Sequence, residues 1–237
     1  MRARTKTLLR GLAVTVMAMV IVMTLRGFDG LEERAAQQER LYFPSGNFLV
    51  ESTLGFREVA ADYLWFRFIQ YYGAYAKGHN DFRYFELLID GITKLDPQFE
   101  EAYYFASLVF WSSFGDTEGS IDILKRGILA NPDKAKLPFQ IGFIYYIMER
   151  DYLRAGHWFE MASRCADATD KESRFAAFAR GRAGDDRVAL DLWKNLYNST
   201  DSPHMKELAV KMIEKLTRKI KLGRIYGEEF IGPIPEI

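Results

Sequence analysis

Residues 136–166 read KLPFQIGFIYYIMERDYLRAGHWFEMASRCA, and this stretch decides the fold. In its first half Ile141-Gly142 and Tyr145 fall on one helical face. In its second half Ala155, Phe159 and Ala162 follow at the i, i+4, i+7 spacing of another. The polar run Glu149-Arg150-Asp151 separates the two and predicts a tight turn. Small residues at Gly142, Ala155 and Ala162 let two antiparallel helices approach closely, while Tyr145 and Phe159 fill the space between them. Just upstream, Asn131-Pro132 ends an earlier apolar pattern, and Asp96-Pro97 does the same 35 residues before. A proline just past a helix end cannot continue the helix, so the recurrence marks a repeat of about 34 residues.

Ile141-Gly142-x-x-Tyr145 followed by Ala155-x-x-x-Phe159-x-x-Ala162 resembles the L-G-x-x-Y first helix and A-x-x-x-F-x-x-A second helix of the tetratricopeptide repeat (TPR), with one extra residue near Glu149-Arg150. The same frame upstream gives Tyr103, Ala106-Ser107, Phe110, Ser120, Leu124 and Gly127 over residues 100–132. A further copy covers 66–97, with Tyr72-Gly73, Ala76, Ile89 and Ile92; it places Phe85 where the family has a small residue, so packing there must differ. A degenerate copy follows Cys165, with Ala176-Ala177, Gly184-Asp185, Ala189, Trp193 and Leu196. The last helix starts at Ser202-Pro203, a capping residue with proline at the first helical position. It puts Met205, Ala209, Met212, Leu216 and Ile220 on one face and lysines around the others, as the closing helix of a solenoid does. The resemblance implies an all-α fold: a TPR-like solenoid of three to four helical hairpins plus a capping helix, preceded by one N-terminal transmembrane helix.

Outward from the repeats, residues 55–73 form a helix apolar on nearly every side, which predicts burial all round. This string resembles the segment before the repeats in membrane-anchored bacterial TPR proteins. Residues 27–53 read as a linker containing the turn Pro44-Ser45-Gly46-Asn47. Residues 1–26 carry five basic side chains and no acidic one around the uncharged run GLAVTVMAMVIVMTL at 11–25. That run is short for a bilayer, and Arg10 and Arg26 can snorkel at its ends. A signal anchor with a cytoplasmic N-terminus is the preferred reading. Cleaved signal peptide and mitochondrial presequence are the alternatives; no cysteine follows to make a lipoprotein. The expected organisation is therefore anchor 1–26, linker 27–53, helical domain 54–222 and irregular tail 223–237, with the domain on the outer face of a bacterial inner membrane.

The 237 residues balance 32 basic against 32 acidic groups, which gives no case for nucleic acid. One cysteine, Cys165, excludes an internal disulfide and a cysteine metal cluster. His79, His157 and His204 are isolated in sequence, and no phosphate-binding glycine motif occurs, so no cofactor, metal or catalytic set is expected. Asp62 and Arg67 in the apolar helix read as a local pair or a partner contact. Of 18 Phe, 13 Tyr and 4 Trp, 21 lie between Tyr42 and Phe114, more than one layer of repeat core requires. Either all are core, or some line a groove formed by the first helix of each repeat. Arg67, Tyr72, Tyr104 and Trp111 are the candidates to meet a protein partner there. A membrane-tethered scaffold or adaptor leads. A subunit or assembly factor of a membrane complex, a mitochondrial outer-membrane receptor, and an enzyme with dispersed residues are the alternatives.

Overall fold

The structure is a computed structural model that describes Met17, Met19, residues 49–78 and residues 82–227. Apart from Met17 and Met19, the expected anchor lies outside the described residues, as do most of the linker, His79 and the end of the tail. Among the described residues no helix is long and apolar enough to cross a membrane. Every regular element described is helical. The chain divides into two compact units, Met1–Gly91 and Ile92–Ile237, with the boundary inside one helix.

The first unit contains α1 (Leu49–Ser52), α2 (Arg57–Ala76) and the start of α3 (Phe85–Leu95). Positive φ at Leu54 and Gly55 breaks the chain between α1 and α2. Its core is aromatic. Phe68 and Tyr71 of α2 meet Phe82 and Phe85, with ring centroids 5.1 Å apart for Phe82–Phe85 and 5.2 Å for Tyr71–Phe82. Tyr75 stacks on Phe82 at 4.6 Å, and the Tyr84 amide donates to the Tyr71 hydroxyl. Phe85 is thus the pivot of a ring cluster rather than a point of close helix approach, which is how the departure at this position is accommodated.

The expectation that α2 is buried all round is not met. Ala61, Phe68 and Tyr71 are buried, but Val59, Tyr63 and Phe66 are 65%, 62% and 60% exposed. An apolar residue is buried only where another element covers its side of the helix, and among the described residues nothing covers this side of α2. Asp62 is exposed as well, so its charge is solvated rather than buried.

In the second unit the helices alternate in pairs: α4 (Glu100–Phe114) with α5 (Thr117–Ala130), α6 (Lys136–Ile144) with α7 (Tyr152–Ser163), and α8 (Asp170–Arg182) with α9 (Asp186–Ser199), closed by α10 (Pro203–Tyr226). Second helices begin at 117, 152 and 186, so the expected period is present in the backbone. Local chemistry sets the boundaries. Asp116 and Asp151 accept from the amides of Gly119 and Arg154 at 2.8 and 2.9 Å. Thr169 and Glu172 form a capping box, and Ser202 caps α10 ahead of Pro203. α10 runs to Tyr226, four residues beyond the expected end at 222.

The extra residue near Glu149-Arg150 has a structural form. After Ile144 the helix widens into a π turn, Tyr145–Glu149, and ends at Arg150 with φ 51°. A π turn adds one residue to the helix without changing where its apolar face points. Gly142 and Phe159 therefore still meet: a Cβ on Gly142 would lie 2.7 Å from Phe159 Cδ1. Ala155, Phe159 and Ala162 are fully buried, and Tyr145 is half-buried against the same cluster with Arg154 over its ring. Gly127 does the equivalent work one repeat earlier, where a Cβ would meet Leu137 Cδ1 at 2.6 Å and Tyr103 Cγ at 2.7 Å.

Candidate partner-binding groove

The first helices of the three pairs, α4, α6 and α8, line a hollow of about 380 Å3. Tyr104 comes from α4, Lys136, Phe139 and Gln140 from α6, and Lys171 and Glu172 from α8. A rule repeats across it. Lys136, in the first turn of α6, places its ammonium 4.4 Å from the ring centre of Tyr104 on the preceding first helix. Lys171, in the first turn of α8, places its own 4.1 Å from the ring of Phe139. Each cation lies 32 residues after its aromatic, so one repeat presents a ring and the next supplies the charge over it.

Asp167 and Glu172 add carboxylates to the lining, and Glu101 stands beside it, bound to Lys136. Glu101 accepts from Lys136 at 2.6 and 2.7 Å, and Glu172 from Lys171 at 3.0 Å. Burial pushes the Glu172 carboxyl up, but hydrogen bonds from the Thr169 amide and hydroxyl and from Lys171 hold it below its ordinary range. Asp167 accepts from the Ala135 amide at 2.8 Å and pins the loop that enters α6. Beside the hollow, Glu100 has one carboxylate oxygen, Oε1, buried without a hydrogen bond. Desolvation raises its pKa against the opposing pull of Lys136. The surface therefore offers ammonium groups, carboxylates, an amide and two aromatic faces in one concave strip.

Of the residues expected in such a groove, Tyr104 lies in it. Trp111, on the same helix two turns on, is 40% exposed and does not line the hollow. Tyr72 and Arg67 belong to the first unit. Tyr72 is half-buried, 5.7 Å from Phe82 and 6.4 Å from Tyr75, and so is part of the aromatic core there. Arg67 is half-buried on α2. Sequence reasoning misses Lys136, Phe139, Gln140 and Lys171. Their signal is nonetheless present: Glu101, Lys136 and Lys171 are spaced by 35, as are Tyr104 and Phe139. The packing residues that define the period do not reveal it.

The residues weighed for chemistry lie elsewhere. Cys165 is half-buried with its thiol 3.8 Å from the Pro132 carbonyl oxygen, and burial with nearby Asp167 and Asp133 pushes its pKa up. A thiol held protonated is a poor nucleophile. His157 is exposed, with Nδ1 3.4 Å from a nitrogen of Arg180, whose guanidinium is bound by Glu160 at 2.5 Å and Asp185 at 3.2 Å. Among the described residues no group of three or more His, Cys, Asp or Glu side chains is placed to hold a metal.

No family model matches the chain, and no curated protein matches it. Among solved structures, two crystal structures of MamA are similar in part. One is 15% identical with a TM-score of 0.37, covering 65% of this chain and 96% of its own. The other is 14% identical with a TM-score of 0.38, covering 69% of this chain and 93% of its own.

Proposed function

We propose that the chain is a TPR-like scaffold without catalytic function of its own, held at a bacterial inner membrane by residues 8–26 and presenting its helical body on the outer face. One observation carries the interaction role: the concave strip built by α4, α6 and α8, with Tyr104, Phe139, Lys136, Lys171 and Gln140 on one face. Aromatic rings beside long cations are the side chains that dominate interface energetics. Their mixture with Glu101 and Glu172 fits an extended polypeptide segment carrying apolar and charged groups. Release of Lys136 from Glu101 would free a cation for such a segment with little loss, because an exposed ion pair contributes only ~0–1 kcal/mol.

A photo-crosslinkable amino acid at Gln140 of the full chain, in cells, tests this reading. A discrete protein adduct at Gln140, lost in Lys136→Glu and Lys171→Glu variants that keep their helical content, is the expected result. The exposed Leu129, on the second helix α5, is the control. Equal adducts at both positions, or none at Gln140, would refute the groove. The identity of the adduct separates two versions of the proposal. One invariant membrane partner in stoichiometric yield marks a subunit or assembly factor, and a variable set of partners marks an adaptor.

A further inference from the structure

The exposed side of α2 has a pattern. Val59, Tyr63, Phe66, Gln70 and Gly73 follow one another at spacings of four, three, four and three. This is the seam of a two-stranded coiled coil, in which every third or fourth residue faces a partner helix. The three large apolar side chains of the seam are each at least 60% exposed, and Ile69 beside them is 40% exposed. Scattered exposed apolar residues are ordinary on a protein surface, but a continuous helical stripe of them is not. At the far end a Cβ on Gly73 would meet nothing within 4 Å, so the stripe finishes on an open, flat surface.

We propose that this stripe is a homodimer seam: two copies of the chain pack α2 against α2, parallel and in register. The flanking residues choose the occupant and the direction. In a parallel pair, the residue just before a first seam position faces the residue five further on in the partner helix. From Asp62 that residue is Arg67 of the second copy, an opposite charge, and the twofold axis makes the contact twice. The next such pair is Ile69 with Ala74, which extends the apolar strip. In an antiparallel pair each flank meets its own kind, so Asp62 would lie along the side of Asp62 and Ile69, and Arg67 along that of Arg67 and Ala60. That arrangement has no charge pairing to offer. Arg67 need not be idle in one copy to take part, since a guanidinium has five donors. Gln70 meets Gln70 across the seam, where two amides satisfy one another and a shift in register would strand both.

The seam spans fifteen residues, about 21 Å of helix, so the dimer should be modest in affinity and sensitive to single charges. Disulfide trapping of the full chain in a mild detergent, with Cys165→Ser as background, provides the test. Phe66→Cys is expected to form a covalent dimer on mild oxidation, at least tenfold faster than Glu58→Cys, which is exposed on α2 but off the seam. In the Phe66→Cys chain, Asp62→Arg or Arg67→Asp alone should cut the dimer yield roughly fivefold, and the two together should restore it. Helical content is checked for each variant, and Asp62, being exposed, can be replaced without touching a core contact.

Equal trapping at positions 66 and 58 would overturn the proposal. So would trapping that appears only when Tyr63→Cys and Phe66→Cys copies are mixed, because that marks an antiparallel pair. A Phe66→Cys chain that sediments as a monomer while its introduced thiol resists thiol reagents would also overturn it, and would assign the stripe to another occupant such as lipid or a different protein.

Discussion

Gly142→Ala separates close helix packing from helix propensity. In an isolated helix the change is favourable by ~0.5–1 kcal/mol, because glycine loses more backbone freedom on folding than alanine. At Gly142 the new Cβ would lie 2.7 Å from Cδ1, 2.8 Å from Cε1 and 3.1 Å from Cγ of Phe159. The first contact is roughly 0.8 Å inside the ~3.5 Å separation where carbon atoms attract best. The ring has nowhere to retreat. Phe159 is fully buried, with Phe139 at 5.0 Å and Phe175 at 5.3 Å on its other sides. Overpacking of a closed core site costs ~1–3 kcal/mol, so the net expectation is a loss of ~1–2 kcal/mol. Gly181→Ala in the same unit is the internal control. There the new Cβ meets only Ala189 Cβ, at an ordinary 3.7 Å, so stability should hold or rise by up to ~1 kcal/mol. Urea denaturation of the full chain in detergent, followed by far-ultraviolet circular dichroism, measures both. The two variants should differ by ~2 kcal/mol, or several degrees in melting temperature for a unit of this size. A Gly142→Ala protein at least as stable as the parent would refute the close approach of α6 and α7, and with it the frame of the repeat.

Ala155→Leu should cost ~1–3 kcal/mol in the same assay, since Ala155 is fully buried between α7 and its neighbours; an unchanged midpoint would misplace this helix face. Gly127→Ala should be at least as damaging as Gly142→Ala, because its new Cβ would also meet Tyr103 Cβ, an atom close to the backbone, at 2.9 Å. Trp193→Ala should cost ~3–5 kcal/mol, as Trp193 is the largest fully buried side chain described and packs on Phe178 at 5.0 Å. Glu172→Ala should cost ~1 kcal/mol at neutral pH by removing half of the capping box. The folded pKa of Glu172 is lowered, so its contribution is present above the unfolded value of ~4.3 and is lost as pH falls through the folded one. The difference between parent and Glu172→Ala should therefore shrink in acid, and a constant difference down to pH 2 would remove the carboxylate from the explanation.

The hairpin architecture was legible in the sequence because its determinants are local or repeated. Prolines, capping residues and small residues act within a few positions of themselves, and the period of about 34 multiplies each weak signal. Gly142 with Phe159 could be paired from residue spacing alone, since two antiparallel helices joined by a tight turn bring those positions together whatever surrounds them. Even the extra residue near Glu149-Arg150 was countable from the frame, although its form as a π turn was not. The groove was legible in part. Tyr104 stood out as an aromatic beyond the needs of the core, whereas Lys136 and Lys171 read as ordinary surface lysines until α4, α6 and α8 set each over a ring 32 residues earlier.

The sequence also could not say which side of α2 would be covered. Its apolar residues run around the helix, and composition alone predicts burial wherever they point. Burial, however, belongs to a pair of elements rather than to one. Phe68 is buried because Phe82 and Phe85 reach it, and Phe66, two residues away on the opposite side, is exposed because no described element does. Sequence determined where helices start, stop and approach each other, since those rest on backbone geometry and side-chain volume. Only the tertiary structure decided which apolar and charged faces remain open, because that depends on atoms brought together from distant parts of the chain.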